Sequence, residues 1–504
     1  MSRKTGVLLS YILMIFEVLS TLLLTPFIIR TLGQAEYGVY KLAAAINAYL
    51  LLLDLGVGNA VTRYIAKYRV NKQKDQERKF LGVALLFYIL IAIIAVLLGV
   101  VIVIIFPKAF AKGLSETEIV LGQRLLSITM INSAFVLGTT AYNNVIIAYE
   151  RFDISKGASI IQVVFRMLLT YIALKMGAGS IGIVIVNLIM TVIFRLAFVL
   201  FVTYKIKLRP CFKGIESSFV KEVVSYSSLI LLQMVATQLN ATVDQVLIGS
   251  LVTASSVILA VYGVGAQVVQ YYLSIGSAFN GVLMPGVVKL VERNSTPKEY
   301  TNEMVRISRI IFMVVGLIWG VFLVNGREFI RLWAGKDNES AYYVAIILMT
   351  AYMFTLCESI GSQILWAMNE HKEQAILKIT IVVANIALTI LLIKWKPLIG
   401  ATIGTFISIV LGDIVAMNII FKKKMKASLF EYYKGFLKGI APSICFMICI
   451  GMIIRIKIPS NWACFFAKSM IMIAVYIVCM LLFGINNYEK HLLNSAMKKL
   501  HIKQ

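Results

Sequence analysis

The chain has 504 residues, of which 60% are hydrophobic and 14% charged. Soluble domains carry roughly 25% charged residues, so the composition excludes an ordinary soluble enzyme and describes a chain dissolved mostly in lipid. The formal net charge of +25 does not point to nucleic acid, because roughly two thirds of the Lys and Arg fall in alternate loops, the inner-side bias of membrane proteins.

Apolar windows long enough to cross a bilayer occur at 6–29, 37–62, 80–106, 125–148, 157–175, 179–204, 223–249, 256–288, 307–325, 341–367, 374–393, 397–421, 435–454 and 463–484. The expected fold is therefore all-α and polytopic, with about fourteen transmembrane helices. The first window is too long for a signal peptide and lacks a small-residue cleavage site, so it reads as the first span. The basic loops "RYIAKYRVNKQKDQERK", "KIKLRPCFK" and "KKKMK" set the inner side and place both termini in the cytoplasm, with anionic inner-leaflet lipid as a partner. The six cysteines share no outer loop and imply no disulfide framework.

"IIRTLG" (28–33) aligns with "LIGSLV" (247–252), and "SIGIVIVN" (180–187) with "LIGATIGT" (398–405), at offsets that agree within one residue. Two parallel six-helix lobes follow, at 1–215 and 216–425, with two extra helices and a cytoplasmic tail at 426–504. In such a repeat the substrate site lies near the midplane between halves.

Charges inside spans mark functional sites by default. Here several belong to polar stripes at helical spacing. In chain order these are Ser10, Glu17 and Thr21; Asn47, Asp54, Gly58 and Thr62; Thr129, Asn132, Thr139 and Asn143; Gln162, Arg166 and Thr170; Asn187, Thr191 and Arg195; Gln233, Thr237, Asn240 and Asp244; and Gln267, Gln270 and Ser274. Such stripes line water or seal helices against one another. Arg166 cannot shed its charge and needs an anion, either a neighbouring carboxylate or a substrate phosphate. Arg195 lies nearer the inner end of its helix, where snorkelling suffices. No catalytic residue, metal site, Walker A sequence or loop long enough for a soluble domain is found. The expectation is a protein that moves something rather than converting it.

"TPFIIRTLGQAEYGVYKLAAAINAYLLLLDLGVGNAVTRYIAKYR" (25–69) and "REFIRLWAG" (327–335) resemble the Wzx-type oligosaccharide-lipid flippases of the MATE-like multidrug/oligosaccharidyl-lipid/polysaccharide (MOP) superfamily. The resemblance implies a MATE-like fold and a cargo of sugar repeat units on undecaprenyl pyrophosphate. It implies flipping from the inner to the outer leaflet of a bacterial plasma membrane by alternating access, for surface polysaccharide synthesis. No cofactor is implied beyond a proton or Na+ gradient; a polysaccharide polymerase is the implied partner. Head-group binding is carried onto Arg30 and Arg166, with Asn47, Asn132, Asn143, Gln162, Gln267 and Gln270 lining the lumen. Ion coupling or charge pairing falls to Glu17, Asp54 and Asp244. Two alternatives stay open, a MATE-type cation-coupled drug exporter and a lipid II or sporulation-type flippase.

Overall fold

The computed structural model describes residues 3–54, 56–212, 217–278, 286–287, 289–293, 295–368, 370, 372–457, 459–486 and 488–490; side chains are described over these except 3–5, 7, 217–233 and 456–457. Helices account for nearly all of it, with no strand among the described residues. In order they are α1 (Arg3–Leu51), α2 (Val57–Val70), α3 (Lys74–Phe110), α4 (Glu116–Ala148), α5 (Phe152–Lys175), α6 (Gly179–Leu200), α7 (Ser217–Leu251) and α8 (Ser255–Ser277). After these come α9 (Pro297–Ala334), α10 (Ala341–Ala367), α11 (Lys372–Ile393), α12 (Pro397–Ile409), α13 (Met417–Met425), α14 (Leu429–Leu437), α15 (Ile440–Lys457) and α16 (Trp462–Cys479).

Eleven helical stretches among the described residues are long and apolar enough to cross a membrane, or twelve if the bent pair Leu429–Leu437 and Ile440–Arg455 is one span. The sequence leads to about fourteen because it separates stretches that run together here. Leu8–Val70 counts as one stretch, yet it contains the first two expected spans. They are parted at Gly33, whose φ of 73° and ψ of 171° lie in a region open essentially to glycine alone. The seventh expected span coincides with α7, but its side chains up to residue 233 lie outside the described set, as do residues 279–285 of the eighth and the three histidines.

Local signals explain where the helices begin. Ser115 and Glu118 form a reciprocal capping box on α4, and Thr296 and Glu299 form another on α9, with Pro297 in the first turn. Each satisfies backbone donors that a helix start leaves orphaned. Along α3, Leu86, Ile89, Leu90, Ile93, Leu97 and Ile104 are exposed, an apolar surface suited to lipid rather than water.

The chain divides into two compact units, Met1–Gly263 with Lys378–Thr405, and Val264–Leu377 with Phe406–Gln504. In the first, α2, α3 and α4 close around Val57, Ile65, Phe80, Leu81, Tyr88 and Val145. In the second, α9 packs on α10, α14, α15 and α16. A buried ion pair there joins Arg309 to Glu489 at 2.6 Å, and the same guanidinium bonds the carbonyls of Gly435, Lys438 and Gly484. Every face of that charge is occupied, as burial of a guanidinium requires.

Candidate functional site

The stretch "LLLLDLGVGNA" reads as continuous helix by hydropathy, but the chain breaks within it. α1 ends at Leu51, Leu52–Asp54 form a single 3-10 turn, and α2 restarts after Gly56, which is left-handed at φ 70°. The break sets Asp54 at a discontinuity, the kind of place where membrane transporters expose binding groups. Its carboxylate accepts from the Tyr88 hydroxyl at 2.8 Å and from the Gly56 amide. The cation that acts on it is Arg195 of α6, whose Nη1 is buried without a hydrogen-bond partner. Arg195 is close enough to act on Asp54 electrostatically, but no ion pair within 4 Å joins the two among the described residues. Arg166 is half-buried on α5, with no ion pair within 4 Å among the described residues.

A second centre surrounds Asp244 on α7, which is 1% exposed. Its carboxylate receives the hydroxyls of Tyr262 on α8 at 2.5 Å, Thr389 on α11 at 3.1 Å, and Thr405 on α12. Asn385 Oδ1 stands 3.1 Å from both threonine oxygens, and its Nδ2 donates to Asn240 at 2.7 Å. No Lys or Arg among the described residues comes within 4 Å of Asp244. A buried carboxylate ringed by neutral oxygens has the donor set of a hard monovalent cation or a proton, since an uncompensated charge there is costly.

The remaining expected site residues are dispersed. Arg30 is exposed near the Gly33 break, and Glu17 is exposed on α1. Asn47 accepts from Ser133 at 2.9 Å and Asn143 from Ser155 at 3.2 Å. Asn132 has a buried oxygen without a hydrogen-bond partner among the described residues, and Gln162 is half-buried. Gln267 and Gln270 stand in the second unit, the first half-buried and the second exposed. Several hydroxyls of the polar stripes bond the carbonyl one turn back in their own helix: Ser10, Thr21, Thr62, Thr129, Thr139 and Ser274. Those residues satisfy themselves, as Ser and Thr do in apolar helices.

The family motifs are largely architectural. Glu36 accepts from the Ser180 amide at 2.6 Å, placing a carboxylate on the positive end of α6. At Gly38 a methyl would collide with the Ser256 carbonyl at the start of α8. In "REFIRLWAG", Arg327 and Arg331 both grip Glu339. Burial pushes the Glu339 carboxyl up, but the two guanidiniums outweigh it and hold the group below the usual carboxylate range.

Residues 3–291 match the model of the family described as polysaccharide biosynthesis protein, which is more than half of the chain. The chain belongs to the polysaccharide biosynthesis protein family. Among relatives of this family member, a Shigella flexneri protein assigned to O-antigen transport is 20% identical over 403 residues, covering 77% of this chain and 90% of its own. The fold of the lipid II flippase MurJ, in an inward closed conformation, superposes with a TM-score of 0.70 at 16% identity, covering 95% of this chain and 98% of that one. An inward-facing MATE family transporter of the MOP superfamily gives 0.60 at 14% identity, covering 81% and 96%. The architecture expected from the resemblance is thus the one found: a helical, multi-pass membrane protein with the MATE-like fold. Its relatives are transporters and flippases.

Sequence reading missed Tyr88, Tyr262, Asn385, Thr389 and Thr405. Asn385 and Thr389 are one helical turn apart on α11, a two-residue stripe that periodicity alone does not separate from chance. Tyr88 and Tyr262 sit in apolar runs and read as packing until the structure brings their hydroxyls to carboxylates.

Proposed function

We propose that this family member flips undecaprenyl-pyrophosphate-linked oligosaccharide repeat units from the inner to the outer leaflet of a bacterial plasma membrane. The observation that carries the reading is the family match over residues 3–291. An O-antigen transporter among the relatives and the flippase fold support it. The two lobes at 1–215 and 216–425 alternate access to a lumen, and the helices beyond 426 lie outside the repeat. Arg30 and Arg166 hold the pyrophosphate, because a fixed guanidinium lowers the cost of bringing that anion into hydrocarbon. Asp54, which accepts from Tyr88, offsets part of the positive charge of the empty lumen.

Transport is coupled to an ion gradient through Asp244, whose oxygen-rich surroundings suit Na+ or a proton. The same centre is what a MATE-type cation exporter would need, so the test must separate the two cargoes. Purified protein in liposomes is given a fluorescent undecaprenyl-pyrophosphoryl oligosaccharide or a cationic dye, as wild type, Asp54→Asn and Arg166→Ala. The expected result is sugar-lipid movement in wild type that falls by about tenfold in Arg166→Ala, the loss of one charge-assisted contact, with the dye stationary throughout. Dye efflux that disappears in Asp54→Asn while the sugar lipid stays put would reject the flippase.

A further inference from the structure

The "REFIRLWAG" segment does more than end α9. With the facing ends of α15 and α16 it lines a cavity of about 270 Å³, bordered by Arg327, Glu328, Arg331, Glu339, Arg455, Ser460 and Lys468. Four of those side chains are cationic and two are carboxylates, so the lining carries an excess of two positive charges. Both carboxylates are paired, although Glu328 Oε1 is buried without a hydrogen-bond partner among the described residues. Glu339 is shared by Arg327 and Arg331, and Glu328, 8% exposed, meets the ammonium of Lys468, 2% exposed, at 2.5 Å. Arg455 makes no ion pair within 4 Å among the described residues.

The cations are held in place. One carboxylate fixes two guanidiniums side by side while nearly half of each remains exposed. A rigid guanidinium fork with free N–H groups matches the tetrahedral oxygens of phosphate. An independent feature gives the depth of the cavity. Aromatic rings crowd the same helix ends: Phe329 stacks on Trp333 with ring centroids 5.4 Å apart, Trp462 stacks on Phe466 at 5.9 Å, and Tyr342 meets Tyr343 at 5.3 Å. Trp462, Phe466 and Tyr343 are exposed. Exposed Trp and Tyr gathered at the ends of apolar helices mark the level of lipid headgroups.

We infer that this cavity is a binding site for the phosphate of an anionic phospholipid, built by Arg327, Arg331, Arg455 and Lys468 at the headgroup level of the membrane. On the orientation given by the basic loops, the leaflet is the outer one. Glu339 and Glu328 act as the struts that set the cations, and Arg455 supplies a charge with no ion-pair partner within 4 Å among the described residues. The site lies within the second unit and does not depend on the identity of the transported cargo.

The test is native mass spectrometry of the purified full chain in detergent, titrated with phosphatidylglycerol, with phosphatidylcholine, and with phosphatidylglycerol in competition with inorganic phosphate. Wild type is expected to retain phosphatidylglycerol over phosphatidylcholine. The Arg331→Gln/Arg455→Gln double variant should bind phosphatidylglycerol about tenfold more weakly, the scale of losing charge-assisted phosphate contacts, with phosphatidylcholine unchanged. Inorganic phosphate should not displace the lipid at equal concentration. Arg455→Gln alone breaks no ion pair among the described residues and serves where the double variant folds poorly; it should weaken phosphatidylglycerol binding by about threefold. Equal phosphatidylglycerol binding in wild type and Arg455→Gln overturns the site. Displacement by an equal concentration of inorganic phosphate overturns the lipid assignment and makes it a pocket for a free anion.

Discussion

At the scale of single residues, the distinction that matters is between polar groups that satisfy themselves and those that need a partner. Thr21 and Thr139 bond their own helix and ask nothing of the fold. Asp244 needs three hydroxyls from three other helices, and each of them is worth more than a surface contact because the carboxylate has no access to water. Replacing one donor leaves the anion under-solvated at a cost of about 1–3 kcal/mol. Tyr262→Phe should therefore lower stability by that amount, read from unfolding in mixed micelles, whereas Thr139→Val should change it by less than about 0.5 kcal/mol. If the two variants unfold alike, Tyr262 is not holding Asp244.

At the scale of elements, glycine decides how α1 ends, turns and packs. Gly33 and Gly38 lie five residues apart in one motif, yet they serve different physics. Gly33 has open space around it but a positive φ, so Gly33→Ala carries only backbone strain, about 1–3 kcal/mol. Gly38 is helical, but its missing side chain lets the Ser256 carbonyl approach, so Gly38→Ala must push α8 away from α1. Gly33→Ala should still elute as a monodisperse protein with a lowered midpoint of thermal unfolding. Gly38→Ala should lose the monodisperse peak, and a Gly38→Ala protein as stable as wild type would refute the close approach. Sequence alone shows both glycines and cannot rank them, because one depends on a dihedral angle and the other on a neighbour more than two hundred residues away.

At the scale of the whole molecule, what hydropathy makes legible is the medium and the helical, multi-pass architecture, while the break at Gly33 and the turn at Asp54 leave no mark in it. The family motifs make the superfamily legible. The partners of the buried charges stay hidden, because the repeat and the stripes place a residue on a helix but not opposite another helix: Arg166 is open to Asp54, Glu17 or a substrate phosphate, and the side chain that donates to Asp54 is Tyr88. The Asp244 centre shows the same limit, since its ligands come from α7, α8, α11 and α12. That spread is what would tie ion binding to motion of more than one element. A ligand shifts a conformational equilibrium only through its different affinity for the two states, and an ion held by four helices is sensitive to any displacement among them. Proteoliposomes carrying a Na+ gradient at constant pH, or a pH gradient at constant Na+, should therefore accelerate transport in one case and not the other. Asp244→Asn, which keeps the side chain's shape but removes its charge, should transport at the gradient-free rate under both. Gradient-driven acceleration that survives in Asp244→Asn would move the coupling elsewhere, with Asp54 the next carboxylate to test.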